Sequence, residues 1–273
     1  MTTAVSTITV TYYGETDTFD VTVTPFTVTF DSNGGSAVKA ITTIAGTITA
    51  PTTTTTAGGA TKDRFRGWYT DNGTFETLFD FTTTPITADI TLYADWGYRV
   101  GDAGPGGGII AYRATDVGFT LYMNATDTGT PAHYLEAAPA GWNGTDNDPS
   151  VRWASFDNDF DKEMVAGTSE AIGTGRRNTA LILTAASGFG TPATEAPAAY
   201  LCSTYSTPTA PAGEWFLPSR YEAVELLNAG IISSNNWWTS TQAPDSDDNI
   251  VTGSGAYERK QYETSRTRPI RAF

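Results

Sequence analysis

Residues 7–24, TITVTYYGETDTFDVTVT, alternate apolar and polar positions on both sides of a turn centred on Gly14. That period of two predicts a β-hairpin with one apolar face to bury. A lone hairpin is marginal in water, so this one needs a neighbour. In FTVTFDSNGGSAVKAI, the runs TVTF and AVKAI flank DSNGG, a turn whose Asn33, Gly34 and Gly35 tolerate positive φ. A Thr- and Gly-rich loop follows over residues 52–61. The next stretch, RFRGWYTDNGTFETLFDFTTTPITADITLYADW, offers Phe65, Trp68, Tyr69, Leu92, Tyr93 and Trp96 as core, with its polar residues in turns.

From Tyr98 the pattern changes to loops and short apolar runs. Gly104, Gly106, Gly107 and Gly108 invite comparison with a phosphate-binding loop, but the G-K-[ST] ending is missing and no clear helix follows. A tight turn entering the strand GIIAY is the better reading. FLPSRYEAVELLNAG predicts a short helix: Pro218 at its start, Ser219 as N-cap, Ala223, Leu226 and Leu227 on one face, and Gly230 as its end. Asn178 and Thr179 look like a second cap, opening the helix TALILTAAS. WWTST (237–241) and RTRPIRAF (266–273) have the look of core strands, whereas Gln242 to Thr264 is polar and shows no period.

Composition narrows the chemistry. The 273 residues suffice for one large domain or two to three smaller ones, and a 39% hydrophobic content is enough to bury cores. Only 17% of residues are charged, while Thr, Gly and aromatics abound, which favours strands and turns over long helices. A net charge of -14 repels phosphate backbones and anionic membranes, so nucleic-acid binding and membrane insertion are not expected. The one cysteine, Cys202, forms no internal disulfide, and with the one histidine, His133, it does not complete a zinc site. Both read as packing residues more readily than as nucleophile and base. DNDFDKE places Asp157, Asp159, Asp161 and Glu163 at alternating positions that could put oxygens around Ca²⁺; DSDDN (245–249) does so less regularly. Neither carries the glycine and distal glutamate of an EF-hand loop. No run of about 20 apolar residues is present, and MTTAVSTITV lacks the features of a signal peptide.

Three resemblances organise the chain into residues 1–25, 26–97 and 98–273. The first hairpin, with its VTVT ending, resembles the last strands of bacterial immunoglobulin-like modules; it implies a partial module and a chain that is the tail of something longer. V-x-F-D-S-N-G-G-S (Val28 to Ser36), G-W-Y-T-D (Gly67 to Asp71) and D-I-T-L-Y-A-x-W (Asp89 to Trp96) resemble the Listeria-Bacteroides repeat, or internalin B-repeat. That likeness implies a β-grasp-like spacer or adhesion module without catalysis. VGDAGPGGGIIAY (100–112), YLEAAP (134–139), AIGTGRRNT (171–179), EWFLPSRYEAVELL (214–227), WWTST and RTRPIRAF resemble proteins related to the Fibrobacter major paralogous domain. Those proteins share a C-type-lectin-like fold with formylglycine-generating enzymes. The fold class implied is α+β.

The lectin-like resemblance also implies a function. The last domain of variable proteins in diversity-generating retroelements has this arrangement, and a reverse transcriptase with errors at adenines rewrites its codons. Trp237, Trp238, Ser240, Thr241, Arg268, Pro269 and Arg271 would be scaffold, and the residues between them would face solvent. Template codons of the AAY type reach Asp, Ser, Asn, Ala, Tyr and Arg but not Gln, Glu, Lys or Trp. The candidate variable positions are therefore Asp245, Ser246, Asp247, Asp248, Asn249, Ser254, Ala256, Tyr257, Arg259 and Tyr262, with Gln242, Glu258, Lys260 and Gln261 weaker. Tyr and Arg supply binding energy, and Asp, Ser and Asn adaptable hydrogen bonds.

The reading expected from sequence is a non-enzymatic cell-surface or virion protein that binds a protein or glycan receptor on another cell. No cofactor is required, with Ca²⁺ the one ion the acidic stretches suggest. Two alternatives stay open. One is a fixed-ligand adhesin or glycan-binding lectin without hypervariation, although the Ca²⁺ signature of sugar-binding C-type lectins is absent. The other is a formylglycine-generating-like enzyme, which the lack of a cysteine pair argues against.

Overall fold

The computed structural model describes residues 4–51, 64–114, 118–145, 147–155, 157–233, 237–243, 249–252, 257–259 and 264–273, with the backbone alone for 4–6, 249–252 and 257–259. The described chain has many strands and few helices, a β-rich α+β composition. It divides into two compact units, Met1–Gly97 and Tyr98–Phe273.

The first unit opens with β1 (Ala4–Tyr12) and β2 (Glu15–Val23), an antiparallel pair in unbroken register from Ala4↔Val23 to Tyr12↔Glu15. Tyr13 and Gly14 both take positive φ at the turn. The alternation predicts the hairpin correctly and its burial incorrectly. Ile8 (42%), Val10 (53%) and Phe19 (52%) remain exposed, because no second layer among the described residues covers the apolar face of the two-stranded sheet.

The rest of the unit is a four-stranded sheet of β3 (Phe26–Asp31), β4 (Ile41–Thr43), β5 (Phe65–Tyr69) and β6 (Ile90–Trp96), in the order β4-β3-β6-β5. Its central pair, β3 and β6, is parallel. Val28, Trp68, Leu92, Ala94 and Trp96 pack into its core with Phe79 and Ile86, while Phe65 and Tyr93 are only half-buried. The DSNGG turn is tied to the last strand. Asn33, at φ 44°, donates from Nδ2 to the Ala94 carbonyl at 2.8 Å, and Trp96 Nε1 donates to the Ser32 carbonyl at 2.9 Å. Gly35 lies so close to the Trp96 ring that a Cβ there would sit 2.3 Å from it. Asp71 closes the G-W-Y-T-D motif by accepting hydrogen bonds from Thr74 and from the Glu76 and Thr77 amides, which hold its carboxyl at about 2.

The second unit surrounds three cores. Its central sheet is antiparallel: β7 (Ile109–Arg113) and β16 (Ile270–Ala272) flank β10 (Tyr134–Ala137). The two ends of the unit meet through the Tyr98 and Phe273 rings, 5.8 Å apart, and the His133 and Tyr134 amides both donate to the Phe273 carbonyl. Smaller pairs are β8 (Phe119–Leu121) with β9 (Thr130–Ala132), and β11 (Ser150–Val151) with β15 (Ser265–Arg266). The remaining sheet orders β12 (Trp238–Gln242), β13 (Asn249–Thr252) and β14 (Tyr257–Arg259) in sequence. The helices are α1 (Gly175–Ala186), α2 (Pro192–Glu195), α3 (Pro197–Thr204) and α4 (Arg220–Asn228).

Helix α4 forms as its local signals predict. Ser219 and Glu222 make a reciprocal capping box, Ala223 and Leu226 are buried, and Gly230 at φ 68° follows the end. Helix α1 begins three residues before the expected cap. Asn178 lies inside it and is buried, its Oδ1 accepting from Ser169 N (3.0 Å) and its Nδ2 donating to Ser169 O (2.7 Å) and Ser240 Oγ (3.3 Å). Thr179 is buried as well, donating to the Gly175 carbonyl and accepting from Leu217 N. Cap residues and residues that join segments inside a core are of the same polar types, which is why the sequence misplaces this boundary.

Candidate functional site

The site begins with β12, every residue of which is buried. Its hydroxyls and amides are used inward. Trp238 Nε1 donates to Val151 O at 2.6 Å, and Trp153 Nε1 donates to Thr239 O at 2.8 Å. Ser240 N donates to Pro218 O at 2.7 Å, while Thr241 Oγ1 donates to Ser169 O and accepts from Arg220 N, both at 3.1 Å. The burial runs further than WWTST. Gln242 and Ala243, expected at the start of the exposed surface, are 4% and 3% exposed. Gln242 Oε1 accepts from Val165 N at 2.7 Å and its Nε2 donates to Glu163 O at 3.2 Å, so its amide bridges a loop from below. An exposed display position at Gln242 is thereby excluded.

The C-terminal scaffold is held by buried ion pairs. Arg268 grips Asp148 with two nitrogens, Nε at 2.9 Å and Nη2, and lies 5.5 Å from the centre of the Trp237 ring. Trp237 is itself buried and donates from Nε1 to Ser233 O. Pro269 is buried, and its carbonyl accepts from Ala138 N. Arg271 Nη1 pairs with Glu136 at 3.3 Å and Nη2 with Glu214 at 3.1 Å. Glu136 is fully buried, and here the glycine run finds its role: Gly106 N and Gly108 N donate to its two oxygens at 3.0 and 2.6 Å. A Cβ on Gly104 would fall 2.3 Å from the Glu136 carboxyl carbon, and one on Gly108 would fall 2.2 Å from the Ala137 carbonyl oxygen. The glycines that suggested an anion loop do bind an anion, but it is the protein's own carboxylate.

Strand β13 leaves this scaffold by pairing with β12 (Trp238↔Thr252, Gln242↔Ile250, with an irregularity between them), and β14 folds back on β13. Asn249 stands opposite Arg259, Val251 opposite Tyr257, and Ile250 opposite Glu258. Residues opposite one another in an antiparallel pair share a face, and successive residues alternate. The candidates Asn249, Tyr257 and Arg259 therefore belong to one face of the hairpin, with Glu258 on the other. Asp245, Ser246, Asp247, Asp248, Ser254, Ala256 and Tyr262 lie outside the described residues, as do Lys260 and Gln261.

The residues considered for chemistry are dispersed. Cys202 is buried against Thr267, its Sγ 3.0 Å from Oγ1, and burial pushes the thiol up to about 12. His133 sits between β9 and β10, half-buried, with Nδ1 enclosed and without a hydrogen-bond partner among the described residues. Asp157, Asp159 and Asp161 do not converge. A 3-10 turn at Phe160–Lys162 breaks the period of two that would align them. Asp157 and Asp159 are exposed, Asp159 pairing with Lys162, whereas Asp161 turns inward. Among the described residues no group of three His, Cys, Asp or Glu could hold a metal ion. Sequence reasoning also passed over the buried acids Glu136, Asp148, Glu195 and Glu222. An acid inside the apolar run YLEAA was the one available signal, and it pointed to Glu136.

Residues 26–95 match the Listeria-Bacteroides repeat domain family. This stretch is a Listeria-Bacteroides repeat. Its turn-to-tryptophan tie, Ser32 and Gly35 against Trp96, explains why the repeat needs DSNGG at one end and Trp96 at the other. A protein of Evansella cellulosilytica described as "Putative Gly-rich membrane protein" is 38% identical over 79 residues, which is 29% of this chain and 9% of that protein. The chain thus spans under a tenth of that relative's length. No solved structure matches the chain. Among the described residues no helix is long and apolar enough to cross a membrane.

Proposed function

We propose that the second unit is a ligand-display domain of C-type-lectin-like type, the variable protein of a diversity-generating retroelement, carried on a surface or virion protein. On this reading the Listeria-Bacteroides repeat is its spacer, and the ligand is a protein or glycan receptor on another cell. The observation that supports it is the pairing register of β13 and β14. Three positions that AAY-type codons reach, Asn249, Tyr257 and Arg259, fall together on one face, and Glu258, which such codons do not reach, falls on the other. The hydrogen-bonded state of β12 supports it too. A floor whose side chains bond inward, to Val151, Glu163, Ser169 and Asn178, tolerates side-chain change in the strand beside it, because affinity and stability then draw on different residues.

The test has a genetic and a physical arm. The DNA beside the gene should carry a near-copy of its last hundred or so bases, differing mainly at adenines, next to a reverse transcriptase. A pool of variants randomised at Asn249, Tyr257 and Arg259 should keep its melting temperature within a few degrees of the parent, since surface substitutions typically stay within about 0.5 kcal/mol. Lack of the near-copy would leave a fixed-ligand adhesin. General unfolding of the pool would sink the display reading itself.

A further inference from the structure

Residues 157–163 are linked to the end of α2 through Ser155 and Asn158, and each of the two segments carries a buried carboxylate. Asp161 is 2% and Glu195 1% exposed. Among the described residues, one oxygen of each, Asp161 Oδ1 and Glu195 Oε2, is enclosed and has no hydrogen-bond partner. Both residues hang from Ser155, whose amide donates to the Glu195 carbonyl at 2.8 Å and whose carbonyl accepts from Asp161 N at 3.2 Å. Asn158 Nδ2 donates to the other Glu195 oxygen at 2.6 Å. Gly190 leaves room beside that oxygen, since a Cβ there would approach it to 2.4 Å. Elsewhere in the unit buried acids are compensated: Glu136 by Arg271 and two amides, Asp148 by Arg268, Glu222 by three amides. Asp161 and Glu195 break that rule.

A buried carboxylate is strongly unfavourable unless positive charge compensates it, so two such groups joined through one residue suit a bound cation. The donors in reach are oxygens, with no imidazole or thiolate, which suits a hard ion over a transition metal. We propose that Asp161 and Glu195 are ligands of a divalent cation of the Ca²⁺ class, with main-chain carbonyls and waters completing its shell. A cavity of about 300 Å³ is lined in part by Ser155, Asp157 and Thr194, neighbours in the chain and in hydrogen bonding of the two acids, which do not themselves line it. Arg152 lines the same cavity and is the competing source of positive charge. The site differs from the alternating-acid set read from sequence: of Asp157, Asp159 and Asp161 it keeps only the last, and it adds a residue 34 positions away.

The test is thermal unfolding of the whole chain in EDTA and in CaCl₂ up to about 10 mM, above the weak end of natural calcium sites. The wild type should melt higher in Ca²⁺, because an ion that binds only the folded state stabilises it. Glu195→Gln and Asp161→Asn should lose that response and, in EDTA, melt at or above the wild type, since each removes an uncompensated charge. Asp159→Asn, at an exposed acid of the same loop, should keep the response. If a variant fails to fold, calorimetric titration of Ca²⁺ into the wild type decides the matter. No thermal shift and no binding heat overturns the site, as does a shift that both buried variants retain; in that case Arg152 is the neutralising group.

Discussion

Glu222 offers the sharpest test of how this fold handles charge. Its carboxylate is fully buried and accepts from Ser219 N at 2.7 Å, Gly173 N at 2.8 Å and Gly175 N at 3.5 Å. It is both the N3 member of the α4 capping box and the clamp on the turn that opens α1. Two effects oppose each other: burial disfavours the charged form, and the amide donors favour it. Burial wins, raising the group from 4.5 to about 7. A pKa higher in the folded than in the unfolded state means the folded protein binds the extra proton, so this stabilisation is complete below about 4.5 and is lost as pH rises through about 7. At 1.36 kcal/mol per pH unit the gap is worth about 3 kcal/mol. Glu222→Gln removes the titration and keeps the shape, at the cost of turning an NH₂ toward an amide donor, about 1–3 kcal/mol. The variant should therefore be less stable than the wild type at pH 5, and the deficit should shrink by about 3 kcal/mol by pH 8. Urea unfolding at pH 5, 6, 7 and 8 measures this. A difference that stays constant within about 0.5 kcal/mol would refute the argument, and one that widens with pH would mean the amide donors outweigh burial.

The Glu136 cradle and the lone thiol give two further expectations. Arg271→Ala leaves Glu136 buried with only its two amide donors and should cost about 3–5 kcal/mol in denaturant unfolding, the usual loss when one partner of a buried pair is removed. Gly108→Ala should also destabilise, by at least about 1–3 kcal/mol, because its Cβ meets a backbone carbonyl that has no side-chain freedom to yield. Cys202, with its thiol pushed up to about 12, should resist a thiol reagent at pH 8 in the native protein and react only as the chain unfolds. Rapid labelling without unfolding would contradict its burial.

What the sequence could and could not reveal follows from the range of the interactions. Helix α4 was legible because Pro218, Ser219 and Gly230 act on residues within a turn or two of themselves. The repeat was legible because its motifs combine strand runs on β5 and β6 with the DSNGG turn, where Asn33 takes positive φ and Gly35 packs against the Trp96 ring. The start of α1 was misread because Asn178 joins Ser169 to Ser240, a contact across 62 residues that leaves no local trace. The same holds for Arg268 with Asp148, 120 residues apart, and Arg271 with Glu136, 135 apart. Gln242 resembled the polar run after it and is set apart only by Val165 and Glu163, which a distant segment supplies.

These long-range pairs bear on how the candidate surface is held. β12 and the 265–273 segment lie on either side of the β13–β14 hairpin in sequence, and each is fixed by groups from elsewhere in the unit: β12 by Val151, Ser169 and Asn178, the terminal segment by Glu136 and Asp148. Strand β12 also pairs with β13, Trp238 opposite Thr252 and Gln242 opposite Ile250, so the hairpin is joined to this floor along its backbone. A loop closed between two independently fixed ends costs only about 0.6 kcal/mol more for each doubling of its length. Changes of composition between such ends are then tolerated by the same physics that makes the ends themselves intolerant. That asymmetry, between ends fixed by buried long-range bonds and the segment closed between them, is what a display protein requires.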